Sequence, residues 1–172
     1  MFPRERFLTS PLQVHPRCGS VTNVLASIVN AVESGMSVKR YLREQSLPSA
    51  RRVFALGLGK AACAMTQELS DEINLVDTLV ITKHASSLAV APVTVIEGDH
   101  PVPGEASIEA GKAAMEFVSQ LTLDDLLVCL ISGGGSALMT VPCVPLGDLQ
   151  SITFELLACG ARIDEINILR RH

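Results

Sequence analysis

Short, continuously apolar segments, separated by stretches with helical spacing, constrain the fold of this chain more than any other feature. The strongest is 126–131, and the glycine-rich segment 132–136 follows it at once. Similar apolar segments lie at 53–56, 79–82 and 93–96. Strands that are apolar on both faces and alternate with helices are typical of a parallel sheet covered on both sides. We therefore predict a three-layer α/β/α fold with a mainly parallel sheet, and we expect 126–131 at its centre.

Apolar side chains at three- and four-residue spacing predict the helices of this fold. The first begins at Ser20 and is expected to end at Gly35, and a second short helix contains Val38, Tyr41 and Leu42. Further helices are predicted at 60–69, 108–118 and 149–157, with another from near Asp164. Residues 1–19 contain several prolines and are expected to form an irregular arm before a domain that occupies 20–172.

Composition narrows the class of protein. The chain has 172 residues and a net charge of −4, so it has the size of about one domain and lacks the basic face of a nucleic-acid-binding protein. Its longest apolar run is far below the roughly 18 residues of a membrane span. The five cysteines include no Cys-x-x-Cys pair, which disfavours a disulfide framework or zinc site and favours the cytoplasm.

The first candidate site is the turn from Gly57 through Gly59 to Lys60, which joins a predicted strand to a helix. Its glycines fit a loose dinucleotide-binding pattern, but Ala61 stands where a Walker A loop has Ser or Thr. The N-terminus of a helix is itself positive, so a lysine there is unfavourable unless an anion lies beside it. The turn therefore predicts an anion site, the alternative being a tight turn whose Lys60 points to solvent.

The second candidate site is the glycine-rich segment after the strongest predicted strand. Consecutive glycines allow positive φ angles and close approach of a ligand to the backbone. Their successive N–H groups can form an anion-binding nest, to which flanking hydroxyls add donors. A hydrolase nucleophile elbow is disfavoured because Leu138 stands where that motif requires glycine. We predict a ligand-binding loop rather than a flexible linker, made of Ser132, Gly133, Gly134, Gly135 and Ser136.

The third candidate site is the segment Gly-Asp-His-Pro-Val-Pro, which contains Asp99 and His100 and follows the third predicted strand. Pro101 restricts His100 to extended geometry. Asp99 and His100 are candidates for acid/base or hydrogen-bonding groups at the carboxyl edge of the sheet. The alternative is a rigid loop whose histidine packs or caps locally.

The three motifs, taken in order, resemble the class II glycerate 2-kinases. They read Gly-Leu-Gly-Lys-Ala-Ala, Gly-Asp-His-Pro-Val-Pro and Leu-Ile-Ser-Gly-Gly-Gly-Ser-Ala-Leu, and the chain ends in the family-like segment Glu-Ile-Asn-Ile-Leu-Arg-Arg-His. That family pairs an N-terminal Rossmann-like glycerate kinase domain with a C-terminal MOFRL domain, and some members are named hydroxypyruvate reductase. The resemblance runs from about Ser20 to the last residue. It implies an N-terminal part of that domain, under half of a complete enzyme and inactive by itself.

The resemblance also implies an activity, the ATP-dependent phosphorylation of D-glycerate to 2-phosphoglycerate with ATP and Mg²⁺. Lys60 matches the active-site lysine of the family, and Asn167 and Arg170 lie in the matching final segment as substrate- or nucleotide-binding residues. The residue chemistry agrees, because phosphoryl transfer needs positive charge and N–H donors around oxygen atoms. The metal ligands stay open, as does the assignment of ATP and glycerate to individual loops.

Two other functions remain open from the sequence. One is an NAD(P)H-dependent hydroxypyruvate reductase that uses the Gly57-x-Gly59 turn, with Lys83 near a 2′-phosphate. The other is a non-catalytic domain that binds a phosphorylated ligand or a partner.

Overall fold

A computed structural model describes residues 3–90 and 92–171 of the chain, with side chains described as far as residue 169. The described residues contain a four-stranded sheet with the strand order β3-β2-β1-β4. All its pairings are parallel. The strands are β1 (Arg52–Leu58), β2 (Asp77–Thr82), β3 (Thr94–Glu97) and β4 (Asp125–Ile131). The four predicted strands and the α/β class are confirmed.

Helices connect and cover these strands. They are α1 (Ser10–Gln13), α2 (Cys18–Ala31), α3 (Ser34–Glu44), α4 (Ala62–Glu72), α5 (Glu105–Ser119), α6 (Gly135–Leu138), α7 (Leu146–Ala158) and α8 (Ile163–Arg171). Each predicted helix is present, and α6 is an addition, because four residues are too few to show a helical period. Among the described residues, no helix has the length and apolar character to cross a membrane.

The amino-terminal segment differs from the expected irregular arm. A 3₁₀ turn at Arg4–Phe7 and the short helix α1 lie within it, and α2 already begins at Cys18. Pro11 occupies the first turn of α1, where the missing N–H of proline removes no intrahelical hydrogen bond. The prolines therefore start short helical turns here instead of excluding them.

The two faces of the sheet are covered by different helices, which gives the three layers. Side chains on one face pack against α5 and α6, with the rings of Phe54 and Phe117 in an edge-to-face contact at 6.0 Å between centroids. On the other face, Ala55 and Leu130 pack against α3 and α4. The core of the α5 face consists of Phe54, Leu79, Ile81, Ala110, Ala114, Phe117 and Leu138.

The expectation that 126–131 lies at the centre of the sheet is wrong. In the described chain β4 is an edge strand, and β1 and β2 occupy the middle. Cys129 is exposed and Ile131 is 68% exposed, although the strand is apolar on both faces. A continuous apolar run shows that a strand can be buried on both sides, but the strand order depends on pairings between distant segments.

The expectation that Gly35 ends the first helix is also wrong. The carboxylate of Glu33 accepts hydrogen bonds from the backbone N–H of Gly35 (3.1 Å) and Met36 (2.8 Å), so it caps the start of α3. Gly35 is buried in the first turn of α3, where a Cβ would lie 2.9 Å from the carbonyl oxygen of Ala64. The glycine therefore permits close packing of α3 on α4.

A bidentate ion pair joins β1 to β4 at the amino-terminal edge of the sheet. The Arg52 Nε and Nη2 atoms donate to the Asp125 carboxylate at 2.7 and 2.6 Å. The Asp125 side chain has 0% exposure and also accepts from the backbone N–H and hydroxyl of Thr122. The Arg52 guanidinium, together with the Thr122 donors, holds the pKa of Asp125 well below its ordinary value. This pair fixes one end of the β1–β4 pairing.

Asp125 should make the free energy of unfolding depend on pH in the acid range. Its folded pKa is lowered from an ordinary value of 3.8, so its stabilisation is complete above that value and is lost as the pH falls through and below it. Between about pH 6 and pH 2.5, the free energy of unfolding should fall more for the wild type than for Asp125→Asn. Urea unfolding measures this difference. Asp124→Asn, at an exposed neighbour, should keep the wild-type slope, and equal slopes for wild type and Asp125→Asn would contradict the prediction.

Shortening a leucine side chain should cost more stability in the central strand β2 than in the edge strand β4. Leu79 in β2 is 2% exposed, so Leu79→Ala should lower the free energy of unfolding by about 2–5 kcal/mol. Leu127 in β4 is only partly buried against the same core, so Leu127→Ala should cost less. Denaturant unfolding of the two variants provides the comparison, and a larger loss at Leu127 would contradict the edge position of β4.

Candidate anion-binding site

The loops that follow β1 and β4 form one hydrogen-bonded unit at the carboxyl edge of the sheet. The Ser132 N–H donates to the Leu58 carbonyl oxygen at 2.8 Å, and the Lys60 N–H donates to the Gly133 carbonyl oxygen at 3.0 Å. The Ser132 hydroxyl accepts from the Ala61 N–H at 3.0 Å. The first and second sequence-predicted sites are therefore parts of a single structural site.

The third predicted site reaches the same place. Gly134 lies between His100 and Lys60, since a Cβ at this glycine would be 3.2 Å from His100 Cδ2 and 3.5 Å from Lys60 Cε. Gly98 packs directly against the backbone of Leu138, which leaves no room there for a side chain. The structure thus brings Lys60, His100 and the glycine-rich loop together.

Two glycines in these loops have conformations that disfavour any other residue. Gly59 has a φ of 114° and Gly134 a φ of 97°, both in the region that L side chains rarely adopt. Gly59 also abuts the backbone and hydroxyl of Ser132. Within the segment 132–136, positive φ occurs at Gly134 and not at Gly133 or Gly135.

Gly57 and Ser132 have structural tasks that the sequence did not reveal. Gly57 is buried inside β1, where a Cβ would lie 2.7 Å from the Thr66 hydroxyl oxygen of α4. The Ser132 hydroxyl, besides accepting from Ala61, donates to the Leu58 carbonyl oxygen at 3.3 Å. Gly57 therefore permits close packing of β1 on α4, and Ser132 joins the two loops by hydrogen bonds. Gly133 and Ser136, by contrast, are exposed.

Two residues that sequence reasoning missed position the loop of Asp99 and His100. The buried Ser107 hydroxyl of α5 accepts from the Asp99 N–H at 2.9 Å. Gln150 Nε2 of α7 donates to the Pro103 carbonyl oxygen at 3.0 Å. A serine in the first turn of a helix is a common local hydrogen-bonding residue, so Ser107 carried a signal, whereas Gln150 acts over a sequence distance that no motif reveals.

The candidate site has one cationic side chain and one imidazole beside the Gly134 turn. Lys60 is exposed and His100 half-buried, and both flank a backbone turn in the left-handed conformation. Among the side chains that the structure describes, no group of three or more His, Cys, Asp or Glu is arranged to hold a metal ion. The arrangement can bind an anionic group through one ammonium, one imidazole and backbone N–H donors.

The carboxyl-terminal candidates lie on α8. This helix packs against α7, and its Ile166 is buried. Asn167 is half-buried, and the described hydrogen bonds do not connect its side chain with the loops around Lys60. The side chain of Arg170 lies outside the described part of the chain. The roles of both residues remain predictions.

Comparison with known proteins identifies the class. The family described as Domain of unknown function (DUF4147) matches residues 20–172. The chain is 39% identical over 123 residues to "Glycerate 2-kinase" of Pyrococcus horikoshii, a match covering 70% of this chain and 28% of that protein. It is 38% identical over 125 residues to "Putative hydroxypyruvate reductase" of Agrobacterium vitis, with the same coverage of 70% and 28%.

A solved structure agrees with these relatives. The crystal structure of glycerate kinase from Thermotoga maritima superposes with a TM-score of 0.74 at 33% identity, over 84% of this chain and 36% of that one. The chain therefore belongs to the DUF4147 family, the N-terminal domain family of glycerate kinases. It spans under a third of the length of the two relatives named above.

Neighbouring glycines of the loop should respond differently to substitution. Gly134→Ala places a Cβ on a residue with a φ of 97° and should lower the free energy of unfolding by about 1–2 kcal/mol. Gly133→Ala is the matched control, because a Cβ there meets nothing within 4 Å, and it should change stability by less than about 0.5 kcal/mol. Chemical denaturation measures both values. A Gly134→Ala loss no larger than that of Gly133→Ala would contradict the assigned conformation.

Proposed function

We propose that this chain carries the anion-binding part of an ATP-dependent D-glycerate 2-kinase, within the N-terminal part of a Rossmann-like domain at 20–172. The observation that carries the proposal is the convergence of Lys60, His100 and the Gly134 turn at one sheet edge. The glycerate 2-kinase names of relatives support the reaction. Five free cysteine thiols support a reducing compartment, and we propose the cytoplasm.

In this proposal the residues of the chain act by position and charge. The Lys60 ammonium offsets negative charge on the transferring phosphoryl group or on the glycerate carboxylate. Backbone N–H groups of the loop after Ser132, as far as Ser136, hold the second anion, since the Ser132 N–H itself donates to the Leu58 carbonyl oxygen. His100 hydrogen-bonds to a substrate oxygen. Phosphoryl transfer requires such positioning and charge compensation more than covalent chemistry.

This edge of the sheet offers donors for the phosphates of ATP and one candidate carboxylate for Mg²⁺. The Gly134 turn and the Lys60 ammonium offer donors to phosphate oxygens, whereas the N–H groups of Gly59, Lys60 and Ala61 are already used within the protein. Mg²⁺ usually binds through phosphate oxygens and one or two carboxylates, and the exposed Asp99, next to His100, is the candidate carboxylate. When bound, the metal would neutralise phosphate charge.

A hydroxypyruvate reductase is the second candidate, favoured by the name of the Agrobacterium vitis relative. The geometry at Gly59 argues against it. A dinucleotide-binding glycine lets the pyrophosphate approach its backbone closely, but the space beside Gly59 is filled by Ser132. The kinase is therefore the better-supported function.

Substitution of Lys60 tests the kinase proposal. The assay uses the chain joined to the region that follows the matched part in the Thermotoga maritima relative, and it measures ADP formation from D-glycerate and Mg-ATP. Lys60→Ala should lower kcat about a hundredfold or more, because a preorganised charge is lost where negative charge develops. Lys112→Ala, at an exposed position of α5, is the matched control and should stay within about twofold of wild type.

The kinetic pattern distinguishes the roles of Lys60. A raised KM with an unchanged kcat would assign Lys60 to ground-state binding of the glycerate carboxylate. Values of both parameters near those of Lys112→Ala would contradict the anion-site proposal, and NADPH oxidation with hydroxypyruvate in place of ADP formation would favour the reductase. The 172-residue chain alone should show no turnover.

A further inference from the structure

A buried serine of α5 joins two loops of the candidate anion-binding site through different atoms. The Ser107 hydroxyl accepts from the Asp99 N–H at 2.9 Å and, over the longer distance of 3.4 Å, from the Gly104 N–H. The Ser107 carbonyl oxygen accepts from the Thr140 N–H at 3.0 Å. We call the bonds of Ser107 to Asp99 and to Thr140 the Ser107 bridge. Ser107 is 0% exposed, so the bridge lies away from solvent.

The two ends of the Ser107 bridge lie close to the groups that form the site. Asp99 directly precedes His100. Thr140 lies two residues beyond α6, and α6 begins immediately after Gly134. Two N–H groups of α6 donate to the Gly134 carbonyl oxygen. The short helix α6 therefore connects the position of Thr140 to that of the Gly134 turn.

Close backbone packing leaves this connection little freedom. A Cβ at Gly111, which follows Ser107 by one turn of α5, would overlap the Thr140 carbonyl oxygen. A Cβ at Gly98 would overlap the backbone of the last residue of α6. Both glycines let backbone segments meet without an intervening side chain. The segment after α6 is therefore held against α5 and against the end of β3.

The lengths of the two hydroxyl bonds distinguish this role from that of an ordinary residue at a helix start. Ser107 is the third residue of α5, and a polar side chain at this position often bonds back to the N–H of the cap residue. Here the bond to the cap residue Gly104 is the longer one, and the shorter bond leaves the helix for Asp99. The hydroxyl therefore serves the loop of His100 more than the start of α5.

We propose that Ser107 is a positioning residue of the candidate site and sets the spacing between His100 and the Gly134 turn. This spacing is short, since a Cβ at Gly134 would lie 3.2 Å from His100 Cδ2. Ser107 acts on a bound phosphate or carboxylate through these two groups, without contact to it. Displacement of such groups by about 1 Å lowers a reaction rate by as much as about a hundredfold. The kinetic consequence rests on the proposed function, whereas the geometry does not.

Nuclear Overhauser spectroscopy of the 172-residue chain tests the geometry. In the wild type, the Hδ2 proton of His100 should give a cross-peak with the Hα protons of Gly134. Ser107→Cys nearly keeps the side-chain size and removes the strong acceptor, so this cross-peak should be lost while the amide spectrum of the sheet stays unchanged. Ser119→Ala is the matched control and should keep the cross-peak, because the exposed Ser119 hydroxyl donates within α5, to the Glu116 carbonyl oxygen.

Steady-state kinetics test the consequence for catalysis, in the joined enzyme that also serves for Lys60→Ala. Ser107→Cys should lower kcat/KM for D-glycerate about tenfold or more, and Ser107→Ala should show a similar loss. Ser107→Thr, which keeps the hydroxyl, should recover most of that loss. Ser119→Ala should match the wild type. Recovery by threonine distinguishes the hydrogen bond from packing, because an added methyl group does not replace an acceptor.

Each result decides the inference separately from the kinase proposal. A His100–Gly134 cross-peak that is absent in the wild type or persists in Ser107→Cys would overturn it. An active joined enzyme whose kcat/KM in Ser107→Cys stays within about twofold of the wild type would also overturn it. So would a Ser107→Thr variant that keeps the cross-peak and is as impaired as Ser107→Cys. Selective loss of the cross-peak with a wild-type joined enzyme that lacks kinase activity would uphold the inference and contradict the proposed function.

Discussion

The contact between the loops that follow β1 and β4 is the constraint on which the site depends. The Ser132 hydroxyl and N–H donate to the Leu58 carbonyl oxygen, and the hydroxyl accepts from the Ala61 N–H. The neighbouring Gly133 carbonyl oxygen accepts from the Lys60 N–H. Gly59 has a positive φ and lies against Ser132, where a side chain on this residue would occupy the same space. With these loops joined, Lys60 can lie beside the Gly134 turn and next to His100. The site is thus preorganised by backbone hydrogen bonds rather than by buried charges.

The opposite edge of the sheet is fixed by a different interaction. Arg52 and the inaccessible Asp125 form a bidentate pair, so β1 and β4 are held at both ends, by charge at one and by the loop contact at the other. In the part of the chain that the structure describes, no strand pairs with the outer side of β4. This free edge explains why an apolar strand is only partly buried.

Much of the fold could be predicted from local patterns, because apolar runs and helical spacing follow from the chemistry of neighbouring residues. The four strands, the helices around them and the glycine-rich turns were all found in this way. The strand order was not, since β4 at the edge results from pairings between segments more than 70 residues apart, such as Arg52 with Asp125. The expectation that Gly35 ends a helix was wrong for a similar reason, because this glycine permits the close contact with Ala64 and Glu68 of α4.

The sequence by itself determined that this chain forms an α/β fold and that glycines and a lysine follow its strands, since both are properties of short segments. It also carried the motifs that resemble glycerate 2-kinases. Only the tertiary structure decided that the three motifs meet at one edge, that Ser132 and Gly57 serve the framework, and that Ser107 and Gln150 position the loop of His100. These outcomes depend on distances between residues far apart in the chain, which packing alone determines.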